Sequence, residues 1–189
     1  MIAHVYERAM QSQKLDKVII AVDAIETAEV LKDYGIDSVM TSQEHQSGTD
    51  RIAEVIANEE AETIINLQAD EPKVERAMID DLITVFDNES VKMATLASTS
   101  ITEADLSNEN TVKVDIDKKN DAIGFYRYIK DSGNKYYRHI GIYGYRRETL
   151  NTFTNLPQSD NETNLRLEQL RALDNGIPIK VVMCLSLIH

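Results

Sequence analysis

The sequence has one cysteine among its 189 residues and no long apolar run. A single cysteine cannot form a disulfide within the chain, which excludes a disulfide-stabilised secreted domain and fits a reducing cytoplasm. No segment approaches the roughly 20 apolar residues that a membrane-spanning helix needs, and no signal peptide is visible. We therefore expect a cytoplasmic protein that does not insert into membranes.

Glycine and proline are also sparse, with seven and three residues. No stretch rich in glycine, proline or serine divides the chain, and no repeat or low-complexity segment interrupts it. We interpret residues 1–189 as a single domain, which suits their number. Cys184 lies in an apolar run, so we expect its side chain to be buried rather than reactive.

Basic residues are outnumbered by acidic ones, 20 against 32, which gives a formal net charge of −12. This balance argues against binding to nucleic acid or to an anionic membrane, because both need basic patches. It does not exclude a nucleotide, since local Arg, Lys, backbone N–H groups and Mg²⁺ can hold a small phosphate ligand in an acidic protein.

Short apolar runs alternate with helical segments in the first half of the chain. These predicted strands lie at 17–22, 37–41, 63–68 and 91–99. The alternation favours an α/β fold, with a mostly parallel sheet flanked by helices. Residues from about 110 to 146 are richer in strand patterns and predict a small antiparallel β extension. One helix is predicted over 161–176, followed by a strand at 179–184.

The segment TIINLQADEP, residues 63–72, begins as a buried strand and ends in polar side chains. Ligands of open parallel sheets bind outside the carboxyl ends of the strands. Mg²⁺ takes one or two carboxylates and leaves its other positions to water and substrate phosphates. The segment therefore favours a magnesium–nucleotide site with Asp70 as the metal ligand. The alternative is a solvated loop in which Asp70 caps the following helix.

The segment HQSGTDR, residues 45–51, places a turn of small residues before a helix. Free backbone N–H groups at a helix start are able to bind an anion, and Arg51 on the first turn is within reach of a ligand there. The alternative is an ordinary turn in which Arg51 pairs with Asp50 or Glu54.

The segment YYRHIGIYGYR, residues 136–146, alternates as a strand. One predicted face carries His139, Gly141, Tyr143 and Tyr145, and the other carries Arg138, Ile140, Ile142 and Gly144. The first face suits a polar ligand such as a sugar, and the alternative is an aromatic sheet face with a hydrogen-bonded His139. Glu168 and Gln169, in the segment LEQLR, either border the same cleft or lie on a solvated helix face.

In this order and spacing, MIAHVYERA, HQSGTDR, QADEP, RHIGIYGYR and LEQLR resemble the 3-deoxy-manno-octulosonate (Kdo) cytidylyltransferase family, the CMP-Kdo synthetases. The resemblance covers nearly the whole chain. It implies a nucleotide-diphospho-sugar transferase-like fold and a homodimer. It also implies an enzyme that uses Mg²⁺ to transfer CMP from CTP to Kdo, releasing pyrophosphate, for lipopolysaccharide biosynthesis.

The resemblance also implies roles for individual residues. Asp70 matches the catalytic, metal-binding aspartate of the family. The nucleotide-binding positions are Ser47, Gly48, Arg51 and Gln68. The sugar-binding positions are Arg127, His139, Tyr143, Glu168 and Gln169. The chemistry agrees, because arginine pairs with a carboxylate in a bidentate fork and the other side chains suit sugar hydroxyls. Residues from about 110 to 146 are then expected to serve sugar binding and dimerisation.

Three departures from the family pattern concern the sugar and the loop beside Asp70. Ala69 stands where the family has Gly, Tyr126 where it has Ser, and Leu165 where it has Glu. A cytidylyltransferase for another 2-keto sugar acid, such as an 8-amino Kdo analogue or a sialic acid, is therefore an alternative.

The family's opening strand with its phosphate-binding loop does not appear in this sequence, and neither does its C-terminal segment with a second metal-binding aspartate. We therefore expect residues 1–189 alone to transfer CMP slowly, because the triphosphate grip and the second carboxylate would be missing. A non-catalytic remnant is the other alternative.

Overall fold

The computed structural model describes residues 1–129, 133 and 135–184. The helices are α1 (Ile2–Ala9), α2 (Ile25–Asp33), α3 (Gly48–Ile56), α4 (Arg76–Thr84), α5 (Glu103–Ser107), α6 (Arg147–Asn155), α7 (Asp160–Leu165) and α8 (Gln169–Asp174). The strands are β1 (Ile20–Val22), β2 (Ser38–Met40), β3 (Thr63–Asn66), β4 (Met93–Ser98), β5 (Lys113–Ile116), β6 (Ala122–Tyr126), β7 (Tyr137–Arg146) and β8 (Ile179–Cys184). Within the described ranges, none of the helices has the length and apolarity to cross a membrane.

Local sequence signals set the ends of two helices. Ser47 is the N-cap of α3, and its hydroxyl accepts a hydrogen bond of 3.1 Å from the backbone N–H of Asp50. The segment after α2 turns at Gly35, which has a φ of 70°. This left-handed conformation costs glycine little, so the chain leaves the helix there without strain.

Strand β7 lies inside the main sheet. One of its edges pairs with β4, and the other pairs with β3 near the end of β7 and with β5 near its start, all antiparallel. β4 also pairs with β8 in parallel, and β5 pairs with β6 antiparallel. The predicted α/β architecture is confirmed. The strands predicted as an antiparallel extension are β5, β6 and β7, and β7 also reaches between β3 and β4.

The alternation along β7 directs side chains into two cores on opposite faces of the sheet, as predicted. On one face, Tyr145 belongs to a cluster with Phe153 of α6 and Leu170 of α8. On the other face, Ile142 belongs to a cluster with Leu82 of α4. Helices therefore cover both faces of the main sheet.

The C-terminal strand β8 carries the single cysteine. Cys184 is buried, as predicted, and burial raises the pKa of its thiol to about 11. The thiol is therefore protonated at neutral pH and acts as part of the core.

The prediction of one helix over 161–176 is wrong, because the structure has two helices there. α7 ends at Arg166, which adopts a left-handed φ of 52°. Arg127 donates from Nε to the carbonyl of Leu165 at 2.6 Å and from Nη2 to the carbonyl of Arg166 at 3.0 Å. These bonds satisfy carbonyls that the end of a helix leaves without partners, so the break is stabilised by a residue distant in sequence.

A buried ion pair joins the two helices across this break. Arg171 of α8 donates from Nε and Nη2 to the two carboxylate oxygens of Glu162 in α7, at 2.9 and 2.6 Å. The two side chains are 4% and 6% exposed. The pair fixes the direction in which α8 starts, and hence the place of Glu168 just before it.

Strands β1 and β2 form a separate two-stranded parallel sheet. Among the described strands, β1 pairs only with β2, and β3 pairs only with β7. A cavity of about 780 Å³ is lined by residues of both β1 and β3, including the half-buried Ile20 and Ile65, and it extends to Gly48 and Gln68. Each of these strands therefore has one edge without a backbone partner in the described part of the chain.

Removing the cation of the buried pair should destabilise the fold strongly. We expect Arg171→Met to lower the free energy of unfolding by about 3 kcal/mol or more, because it leaves the Glu162 carboxylate buried and unpaired. Lys17→Met is the matched control, since Lys17 pairs with Glu59 at 2.7 Å but is 62% exposed. That change should cost about 1 kcal/mol or less. Urea titrations followed by circular dichroism measure both; equal losses in the two variants would contradict the role of the buried pair.

Candidate functional site

The loop after β3 brings polar side chains to one edge of β7. Asn66, the last residue of β3, lies opposite Tyr143 of β7 and is buried. Gln68 follows and is half-buried, whereas Asp70 lies exposed in a turn. The carboxyl end of a buried strand therefore presents an amide and a carboxylate, as the sequence indicates.

A shift in strand register opens β7 beside this loop. Thr95 of β4 lies opposite Tyr143, whereas the next residue, Leu96, lies opposite Ile140. Residues 141–142 consequently have no partner on β4. A bulge of this kind redirects side chains locally and frees backbone groups for other contacts.

Glu71 uses one of these freed backbone groups. The N–H of Gly141 donates to the Glu71 carboxylate, and burial raises the pKa of this carboxyl against the opposing effect of that bond. A methyl group at position 141 would lie 3.2 Å from Glu71 Oε1, so glycine allows the close approach. The contact holds the loop that carries Asp70 against β7.

The bulge also determines which nitrogen of His139 carries the proton. The hydroxyl of Thr95 lies 2.8 Å from the Ile142 carbonyl, 3.3 Å from the Ile140 carbonyl and 3.0 Å from His139 Nε2. Both carbonyls can only accept, so the single hydroxyl proton points to a carbonyl and Nε2 must donate to Thr95. Burial lowers the pKa of His139 to about 3. His139 is therefore neutral, with Nδ1 as an acceptor.

Tyr143 and Glu168 lie beside His139. The rings of His139 and Tyr143 are 5.5 Å apart between centroids. Burial raises the pKa of Tyr143 well above its usual value, and the nearby charge of Glu168 contributes. Glu168 Oε2 accepts a 2.6 Å hydrogen bond from Thr49. Its other oxygen, Oε1, is buried, lies 3.8 Å from Arg171 Nη2, and accepts no hydrogen bond from the described residues.

Three of the predicted sugar-binding residues, His139, Tyr143 and Glu168, therefore lie close together. Their side chains are a neutral imidazole, a protonated phenol and a carboxylate. Gln169, the fourth, is buried in the first turn of α8. The set offers two acceptors and one donor to a ligand with several hydroxyl groups.

The predicted nucleotide-binding residues Gly48 and Gln68 are in contact at the start of α3. A methyl group at position 48 would lie 2.8 Å from Gln68 Oε1 and 3.0 Å from Nε2, so the Gln68 amide would have to move to admit it. Glycine therefore allows the Gln68 amide to lie in its observed position. Ser47 caps the helix, and its hydroxyl donates to Asp50 Oδ2 at 2.9 Å.

The two predicted arginines are held by other parts of the protein. Arg51 pairs with Asp23 at 2.6 Å and donates to Thr41 at 2.8 Å, so its ion-pair partner is Asp23 rather than Asp50 or Glu54. Arg127 also donates from Nη1 to the backbone carbonyl of residue 109 at 3.1 Å, which gives each of its three nitrogens a carbonyl partner. Ligand binding by either arginine stays a prediction.

Three residues that support the site were not predicted from the sequence. Thr49, Asn66 and Thr95 are polar, each is 1% exposed or less, and each bonds to a predicted site residue. Asn66 and Thr95 interrupt apolar strand runs, which is a signal in itself because a buried polar group needs a partner. Their partners lie far away in sequence and could not be inferred from it.

A single carboxylate, that of Asp70, is compatible with a weakly bound magnesium ion. Within the described residues, no group of three or more His, Cys, Asp or Glu side chains could hold a metal. Mg²⁺ needs only one or two carboxylates when water and substrate phosphates complete its octahedral shell. Glu71 is already bonded to Gly141. Asp70 would therefore hold Mg²⁺ together with a phosphate ligand rather than in a protein cage.

A polar cleft at the carboxyl end of a sheet strand, beside a helix N-terminus, is typical of α/β proteins that bind nucleotides. The family model described as cytidylyltransferase matches residues 1–180. The 3-deoxy-manno-octulosonate cytidylyltransferase of Thermodesulfovibrio yellowstonii is 42% identical over 96% of this chain and 78% of its own length. The enzyme of the same name from Fusobacterium nucleatum is 42% identical over 96% and 77%. The chain belongs to the 3-deoxy-manno-octulosonate cytidylyltransferase family.

A solved structure agrees with this assignment. CMP:2-keto-3-deoxy-manno-octonic acid synthetase, complexed with CTP, superposes with a TM-score of 0.92 and 36% identity. The match covers 98% of this chain and 79% of the other. A glucose-1-phosphate thymidylyltransferase from Bacillus anthracis, 13% identical with a TM-score of 0.62, shares the fold. The fold predicted from the resemblance is confirmed.

The protonation of His139 can be tested directly. A pKa of about 3 predicts that the imidazole stays neutral from pH 8 down to pH 5, because the pH remains above the folded-state value throughout. We expect ¹⁵N spectra of the labelled protein to show the Nε2–H tautomer across this range. In Thr95→Val, which removes the hydroxyl, the preference for that tautomer should weaken. Titration of His139 near its ordinary pKa of about 6.5 would contradict the assignment.

Proposed function

We propose that the chain transfers CMP from CTP to Kdo, producing CMP-Kdo and pyrophosphate for lipopolysaccharide biosynthesis in the cytoplasm. The observation that carries the proposal is the convergence of His139, Tyr143 and Glu168 next to the loop of Gln68 and Asp70. The names of the matching relatives and the CTP complex of the solved structure support the same two substrates. The family resemblance also supports a homodimer.

The sugar end of the site suits a polyhydroxylated acid. His139 Nδ1 and Glu168 Oε1 accept hydrogen bonds from hydroxyl groups, and the protonated Tyr143 donates one. Because Glu168 Oε1 is buried and accepts no hydrogen bond from the described residues, a ligand hydroxyl would give it a partner. A ligand without hydroxyls would leave this carboxylate oxygen unsatisfied, which is a source of selectivity.

The reaction joins a sugar oxygen to the α-phosphorus of CTP and breaks the bond from that phosphorus to the bridging oxygen of pyrophosphate. The sugar hydroxyl loses its proton to solvent or buffer. The protein contributes mainly by orienting the two substrates, since phosphoryl transfer depends on positioning and charge neutralisation. When bound at Asp70, Mg²⁺ would supply neutralising charge to the phosphates.

The activity test uses the purified chain with CTP, Kdo and Mg²⁺. We expect pyrophosphate release that requires both substrates. ATP and GTP should replace CTP poorly, because a site built around the Gln68 amide and the start of α3 rejects bases that leave its polar groups unpaired. A coupled pyrophosphate assay measures release, with the 8-amino Kdo analogue and a sialic acid as competing acceptors.

Calorimetry with the same substrates separates the alternatives. Binding of CTP and Kdo without release would support a non-catalytic chain, and release with a different acid would identify another sugar specificity. Equal binding of all four nucleoside triphosphates would contradict the base preference.

Asp70 is tested by removing its charge. We expect Asp70→Asn to reduce magnesium-dependent release by about 100-fold or more, equivalent to about 2.7 kcal/mol of transition-state stabilisation. Its fold should be unaffected, because Asp70 is exposed. Asp33→Asn is the control, since Asp33 is also exposed and lies at the end of α2. A variant at Asp70 with normal turnover would exclude this carboxylate from the mechanism.

A further inference from the structure

A line of four side chains connects the nucleotide end of the site to its sugar end. Gln68 Nε2 donates to Asn66 Oδ1, and Asn66 Nδ2 donates to Thr49 Oγ1 at 3.1 Å. Thr49 Oγ1 donates to Glu168 Oε2 at 2.6 Å. The line joins β3, α3 and the residue just before α8, over a sequence separation of up to 119 residues.

All donors in this line point the same way. Asn66 accepts through its carbonyl oxygen and donates through its amide nitrogen, so turning its amide over would break both bonds. The single hydroxyl proton of Thr49 is directed to a carboxylate, which can only accept when ionised. The orientation of the Gln68 amide is therefore set, through two intermediates, by the anion at Glu168.

The two intermediates are almost completely buried. Thr49 and Asn66 are each 1% exposed. The residues at the ends of the line are half-buried: Gln68 lies against Gly48, and the Glu168 side chain is 29% exposed.

We propose that Thr49 and Asn66 are positioning residues that link the two ends, so that the nucleotide and the sugar acid each strengthen binding of the other. This inference rests on the proposed function and names the residues through which its two substrates communicate. A ligand that fixes Glu168 restrains the whole line and leaves less side-chain freedom to be lost when a ligand fixes Gln68. Linkage requires the effect to be equal in both directions.

The test measures binding of each ligand with and without the other. The probes are Kdo and the αβ-methylene analogue of CTP, which cannot release pyrophosphate, both in the presence of Mg²⁺ and followed by calorimetry. We expect saturating Kdo to lower the dissociation constant of the analogue by about fivefold or more, and the analogue to act equally on Kdo.

Three variants separate positioning from mere structure. Thr49→Val keeps the shape of the side chain but removes the hydroxyl, and should reduce the mutual effect to less than about twofold. Thr49→Ser keeps the hydroxyl and should behave like the parent chain. Thr149→Val is the matched control, since Thr149 is a buried threonine on α6, 8% exposed, away from the line. It should leave the mutual effect unchanged.

If Thr49→Val does not fold, NMR spectra of the parent chain test the same inference. Addition of Kdo alone should shift the side-chain amide resonances of Asn66 and Gln68, because the restraint at Glu168 passes along the line. Unshifted resonances would overturn the inference, and so would a mutual effect that survives in Thr49→Val.

Failure of the proposed function looks different from failure of this inference. If the parent chain binds both ligands independently of each other, the proposed coupling is wrong, while the assignment of CTP and Kdo as substrates is supported. If it binds neither CTP analogue nor Kdo, the proposed function is wrong, and the linkage falls with it.

Discussion

The pairing of β7 with three other strands fixes the geometry on which the site depends. β4 occupies one edge of β7, so β3 and β5 must share the other. Residues 139–142 lie between the stretches that β3 and β5 cover, and the loop after β3 docks into this gap through Glu71. The same stretch contains the bulge that positions His139. The place of the site therefore follows from strand pairing rather than from any single side chain.

Two carboxylates near Arg171 have divided roles. Glu162 receives both strong hydrogen bonds from the guanidinium, whereas Glu168 is 3.8 Å from it. Burying a carboxylate is costly unless it is paired, so the close pair of Glu162 and Arg171 is the contact that holds α7 and α8 together. Glu168 accepts a hydrogen bond from Thr49 through one oxygen, and its other oxygen is buried without a hydrogen bond from the described residues.

Local features were predictable from the sequence, and long-range ones were not. The cap at Ser47, the turn at Gly35 and the two faces of β7 all follow from residues within a few positions of each other. The break at Arg166 does not, because Arg127, which supplies its hydrogen bonds, lies 39 residues away. Thr49 could not be identified as a partner of Glu168 for the same reason. Family resemblance supplied the residue types of the cleft, but not the bonds that orient them.

The central position of β7 has a consequence for how the chain folds during synthesis. β3 and β4 do not pair with each other, and both meet β7, which begins at Tyr137. Until that segment leaves the ribosome, the main sheet cannot form, and β3 and β4 remain without their partner strands. Because the pairing is between segments far apart in sequence, folding of the main sheet waits for residues 137–146. The nascent chain therefore exposes β3 and β4 until β7 has emerged, and its net negative charge disfavours association during that interval.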